Sequence, residues 1–172
     1  MFFVKIKNFF VLKSINKSLN FIKHNTSNHT IKSVGILFDD SQIKDKKSFV
    51  NELVKNKISL NNITVLCYKS TIKKNEVFDV PVFCDKDLAF NGEFSNEKVN
   101  EFIATPFDLL INYYDVEKAA LLKVSLLSKA QFKVGFASID NRMNQFIIDT
   151  KVENDKTFIE ELFKYLKILN KI

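Results

Sequence analysis

The polar side chains best placed for chemistry in this 172-residue chain sit where short apolar runs end. Asp39, Asp40 and Ser41 follow the run at 32–38 (KSVGILF). Tyr68 and Lys69 close ITVLCYK, and Asn112, Tyr113, Tyr114 and Asp115 close FDLLINYYD. Carboxylates gathered in this way can bind a cation or act as a general base, and tyrosines can stack on a ring. The candidate ligand-binding set is therefore Asp39, Asp40, Asn112, Tyr114 and Asp115. A local role competes with it: Asp39 to Ser41 suit a turn, and Asp115 suits a helix N-cap, where a side-chain oxygen satisfies free amide donors. Capping is the commoner use of such residues, so no catalytic residue is assigned.

Several reaction classes are excluded outright. A receiver-type phosphoacceptor would stand where the chain has Tyr113, and neither Asn112 nor Tyr113 can form an acyl phosphate. Only Gly35, Gly92 and Gly135 are glycine, which leaves no Gly-rich loop through which backbone amides could approach phosphate. His24 and His29, the only histidines, fall beside the polar stretch 25–29 and read as solvated linker residues. Cys67 and Cys84 lie in strand-like contexts without zinc or redox spacing and read as reduced core residues. No metal and no cofactor are expected. Arg142 is the sole arginine and reads as a surface-loop salt bridge, and Asn91-Gly92 reads as a turn.

The strongest charge signal lies at the start of the chain. Lys5, Lys7, Lys13, Lys17, Lys23 and Lys32 precede the first acid, Asp39, and those six lysines equal the net charge of +6. Residues 3–24 read as an amphipathic helix with Leu12, Ile15, Leu19 and Ile22 on one side and lysines on the other. Two readings follow. Either Lys13, Lys17 and Lys23 meet an anionic macromolecule (RNA, a ribosomal surface or a membrane surface) or an acidic protein partner, or the helix packs its apolar side on the body and solvates its lysines.

These residues must be positioned by the elements around them. From residue 31 onward, apolar runs alternate with helical patterns: strands near 32–38, 63–68, 77–84, 107–114, 132–137 and 145–149, with helices between most of them. Ser95 and Asp115 read as helix caps, and Asp155 as the start of the last helix. Such alternation predicts an α/β, three-layer Rossmann-like sandwich with a mainly parallel sheet of five to six strands, preceded by the basic helix. The expected organisation is helix and linker over 1–29 and one sandwich domain over 30–172. Hydrophobic residues at 46% and charged residues at 27% fit a folded domain. With no membrane-length apolar run and no signal-peptide pattern, the cytoplasm is the expected compartment.

Two resemblances are carried by particular segments. KSVGILFDD, NITVLCYK, FDLLINYYD, KAQFKVGFA and FIEELFKYLKIL, in that order, resemble a small uncharacterised bacterial family of about this length, which implies no activity. FDLLINYYDVEKAALLKVSLLSKAQFKVGF is similar to a strand–helix–strand segment in the N-terminal half of heptosyltransferase-like GT-B glycosyltransferases. That family's Gly-Asp motif after the first strand is absent and a second nucleotide-sugar domain has no room, so the likeness implies only fold. The resulting expectation is a non-catalytic binding or accessory protein working through the basic helix. The alternative is a ligand-binding protein or enzyme using the sheet's carboxyl edge, including a degenerate glycosyltransferase-like half domain.

Overall fold

Among the described residues, runs of aliphatic, β-branched and aromatic residues form six strands: β1 (Val34–Asp39), β2 (Ile63–Tyr68), β3 (Val82–Phe83), β4 (Leu109–Tyr113), β5 (Phe132–Phe136) and β6 (Phe146–Ile148). The computed structural model describes residues 2–22, 30–43 and 45–172. Every neighbouring strand pair is parallel, and the order across the sheet is β3-β2-β1-β4-β5-β6. β1 and β4 lie centrally and are buried at every residue, because parallel strands are covered on both faces. This is the strand order of doubly wound dinucleotide-binding sheets, and its direction reverses between β1 and β4. A Rossmann-like α/β architecture is thereby established, with all six strands present.

Among the described residues, five helices cover the sheet: α1 (Phe2–Leu19), α2 (Lys46–Lys55), α3 (Glu97–Ala104), α4 (Ala119–Leu127) and α5 (Asp155–Ile168). Side chains alternate along each strand, so β1 sends Leu37 to one face and Val34, Ile36 and Phe38 to the other. The first face packs against α1, α3 and α4 through residues such as Val11, Phe102 and Leu122. The second packs against α2 and α5, where Phe49 and Phe158 close on Tyr113 with ring centroids 4.6 and 5.1 Å away. Gly35 admits this packing on the first face: a Cβ there would come within 2.7 Å of the Phe107 ring.

Several elements differ from the sequence expectation. The third strand shrinks to two residues at the sheet edge, immediately after Pro81, which has no amide hydrogen for a ladder. Asn96, not Ser95, caps α3, accepting from the Lys98 amide at 3.0 Å. Asp115 does not cap α4; the chain bends at 115–116 and the helix starts only at Ala119. α1 ends at Leu19, and its buried stripe is Lys7, Val11, Ile15 and Leu19, while Leu12 and Ile22 lie half-buried at its margin. Spacing of four residues keeps that stripe on one side of the helix. Lys23, His24 and His29 lie outside the described residues.

Candidate functional site

The three acids near the switch point are held by the chain's own side chains. Asp39 ends β1 and is only 1% exposed. Its Oδ1 accepts from the Ser41 amide at 3.1 Å and the Ser41 hydroxyl at 2.7 Å, and its Oδ2 is paired with the Lys118 ammonium. Lys118 also lies 5.0 Å above the Tyr68 ring. Asp40 pairs with Lys46 and, at 3.2 Å, with Lys69, which also reaches Glu76 at 2.7 Å. Partial burial works to raise the Asp40 pKa, but hydrogen bonds from Lys46 and Lys69 outweigh it and hold the carboxyl below its ordinary range. Asp115 is bound in both directions by Gln42, whose amide nitrogen donates to its carboxylate and whose carbonyl accepts from its backbone N–H at 3.1 Å. Gln42 thus bridges the β1 and β4 ends, a role no local pattern announces.

Asn112 and Tyr114 point away from this edge cluster into the layer beneath α4. Asn112 Nδ2 donates to Ser125 Oγ at 2.7 Å and to Asn144 Oδ1 at 2.8 Å. Gly135 makes room for this network, since a Cβ there would lie 2.4 Å from Asn144 Nδ2. Lys133 enters the same layer from β5 and donates to the Ser125 carbonyl at 2.5 Å. Burial pushes the Lys133 pKa down to about 8. Tyr114 is fully buried, and desolvation raises its phenol well above the usual range. Tyr113 faces the opposite layer and donates to the Val152 carbonyl at 2.6 Å. The candidate set therefore divides between three engaged carboxylates at the edge, Asp39, Asp40 and Asp115, and two side chains buried beneath α4, Asn112 and Tyr114.

Beside Asp40, a shallow pocket of about 380 Å³ is lined by Lys46, Cys67, Phe78 and Val82 among others. Cys67 and Cys84 are both buried and free. Desolvation raises the Cys67 thiol to about 12, which removes it as a nucleophile at neutral pH. Among the described residues, no three metal-ligating side chains cluster.

The N-terminal helix crosses from one end of this edge to the other. Near its start, Lys7 is buried and donates to the carbonyls of Asp85 and, at 2.6 Å, Leu88, just beyond β3. Asn8 Nδ2 reaches the Asp85 carboxylate at 3.3 Å. Near its end, Arg142 in the β5–β6 connection donates to Asn16 Oδ1 at 2.9 Å and to Asn20, while also pairing with Asp140. Between these anchors, Val11, Ile15 and Leu19 join the same core as Ala119, Leu122, Ile139 and Met143. Full burial of each such aliphatic side chain contributes roughly 1.5–3 kcal/mol. Lys7 is thus spent on internal structure and takes no part in the N-terminal cationic surface, whereas Lys5, Lys13 and Lys17 are exposed. Arg142 is more than a loop salt bridge, because its guanidinium fork ties the helix to the body.

A profile described as a family of unknown function, DUF6913, matches residues 7–169. The chain belongs to that family. The DUF6913 match spans α1 from Lys7 onward together with all six strands, so it takes in the docked helix as well as the sheet. No curated protein and no solved structure matched the chain, and nothing found supports the glycosyltransferase likeness. No helix among the described residues is long and apolar enough to cross a membrane.

Proposed function

We propose that this DUF6913 protein is a non-catalytic binding or accessory protein whose N-terminal helix presents a cationic surface to an anionic macromolecule. One observation carries the reading: α1 is fixed to the body by its inner side while Lys5, Lys13 and Lys17 remain exposed on a helix with no acidic residue. A cationic surface held in place by Lys7, Arg142 and the Val11–Ile15–Leu19 stripe needs no folding on binding, so less binding energy is lost to ordering. The carboxyl edge supports a ligand-binding reading less well. Asp39, Asp40 and Asp115 are each engaged by internal partners, and a ligand would have to displace Lys118, Lys46 or Gln42.

The test measures binding of the full chain to poly(U) RNA and to phosphatidylglycerol-containing vesicles over a salt series. Lys13→Glu/Lys17→Glu is measured alongside. Binding to one of these polyanions that weakens with salt and is lost in the double variant is the expected result. Equal binding by both proteins, or binding to neither polyanion, overturns the reading.

A further inference from the structure

Resting on that reading, we infer that the anionic partner of α1 is a lipid bilayer surface, met by lysines and phenylalanines on the same outward side of the helix. Phe9, Lys13 and Lys17 follow one another at four-residue spacing, which places them along one line of an α-helix, with Phe10 on the flank of that line. Phe21 follows one turn's spacing after Lys17, just beyond the helix end. This line lies opposite the buried Lys7–Val11–Ile15–Leu19 stripe. The aromatic rings on and beside it are open to solvent: Phe9 is 64% exposed, Phe10 56% and Phe21 77%. Phe9 and Phe10 sit edge to face, with centroids 5.8 Å apart.

The combination selects among anionic partners. A single-stranded nucleic acid also rewards lysines and can stack its bases on rings, but it does so in a cationic groove that tracks the backbone, whereas these rings stand on the convex outer side of a docked helix. A bilayer interface rewards both groups at once. Rings enter the boundary between headgroup and acyl chain, while the ammonium groups stay at the level of anionic headgroups. Charge complementarity is unopposed on the helix, since no Asp or Glu occurs before Asp39. On the flank, the Asp140 carboxylate is already paired with Arg142. The helix would lie flat on the surface, as its own inner side is occupied by the protein core and no described helix is built to span.

Co-sedimentation with vesicles tests this inference in the full chain, using phosphatidylcholine alone and phosphatidylcholine mixed with phosphatidylglycerol, with poly(U) RNA as a parallel arm. The wild type is expected on the mixed vesicles and not on phosphatidylcholine alone. Lys13→Glu/Lys17→Glu is expected to lower partitioning roughly tenfold or more, given the contribution of each lysine near an anionic surface. Phe9→Ser/Phe10→Ser/Phe21→Ser is expected to lose binding at low salt too, with circular dichroism unchanged because all three rings are exposed. Vesicle binding unaffected by the phenylalanine changes overturns the bilayer assignment. So does RNA binding without vesicle binding, which leaves the cationic-helix reading standing. Binding to neither overturns both.

Discussion

Arg142 donates to Asn16 across 126 residues of sequence, its terminal nitrogen 2.9 Å from the amide oxygen, while its Nε holds Asp140 at 2.9 Å. One guanidinium therefore joins the β5–β6 connection to the N-terminal helix. At the opposite end of the same helix, Lys7 makes the corresponding attachment to main-chain carbonyls beyond β3. The helix is held at both ends, and its cationic outer side has a fixed orientation.

Removing the Arg142 fork should loosen α1 selectively. Arg142→Ala is expected to leave global stability nearly unchanged, since these bonds are largely exposed and compete with water. Amide hydrogen exchange should quicken over residues 11–19 and stay unchanged in β1 and β4. Arg142→Lys should not restore the slow exchange, because an ammonium cannot hold Asp140 and Asn16 in one planar fork. Equal quickening throughout the sheet would show that the fork supports the whole body.

Ile15 tests whether the helix shares the core. It is almost fully buried beside residues of α4, and Ile15→Ala should destabilise the protein by about 2–4 kcal/mol in urea unfolding. A loss below about 1 kcal/mol would mean that α1 docks weakly enough to detach before the body unfolds.

The Asp39–Lys118 pair makes a sharper demand. Lys118→Met leaves a nearly inaccessible carboxylate with only the two Ser41 donors, and a loss of about 3 kcal/mol is expected. Asp39→Asn in the same background should recover part of it, because a neutral amide at this depth needs no counter-charge. Additive losses from the two changes would show that the pair is not coupled.

Lys133 should make stability depend on pH in the alkaline range. Its folded pKa lies near 8, below the 10.5 of a solvated lysine, so between those values the unfolded chain holds more protons than the folded one. Stability therefore rises with pH through that window, and the burden is fully present below about pH 8. The full swing is about 3 kcal/mol from a shift of this size. Comparing wild type with Lys133→Met from pH 7 to pH 9.5 cancels the tyrosines, and the difference should narrow as pH rises. A difference that stays flat would place the Lys133 ammonium in a solvated environment.

The sheet was legible because its central strands are nearly uninterrupted apolar runs: VGILF and LLINY have little alternative to a position covered on both faces. The carboxyl-edge acids were legible as a group for the same reason, since they mark where those runs stop. Their partners were not, because Gln42, Lys118 and Lys69 reach them through turns whose geometry depends on tertiary structure. Asp115 looked like a cap in sequence, but Gln42 takes its carboxylate and the helix starts later. In sequence Lys7 stands out only as part of the N-terminal positive charge, because a buried lysine satisfied by carbonyls some 80 residues away leaves no local trace. The same distance hid the contact between Arg142 and α1.

Hydrogen exchange of the full chain, free and bound to phosphatidylglycerol-containing vesicles, tests most directly whether α1 binds by its outer side while remaining docked by its inner one. The account predicts slower exchange on binding confined to α1, with the strands and residues 39–42 and 115–118 unchanged. Faster exchange in α1, meaning that the helix leaves the body to bind, would contradict it. New protection at residues 39–42 and 115–118 with α1 unchanged would also contradict it, and would move the binding surface to the carboxyl edge of the sheet.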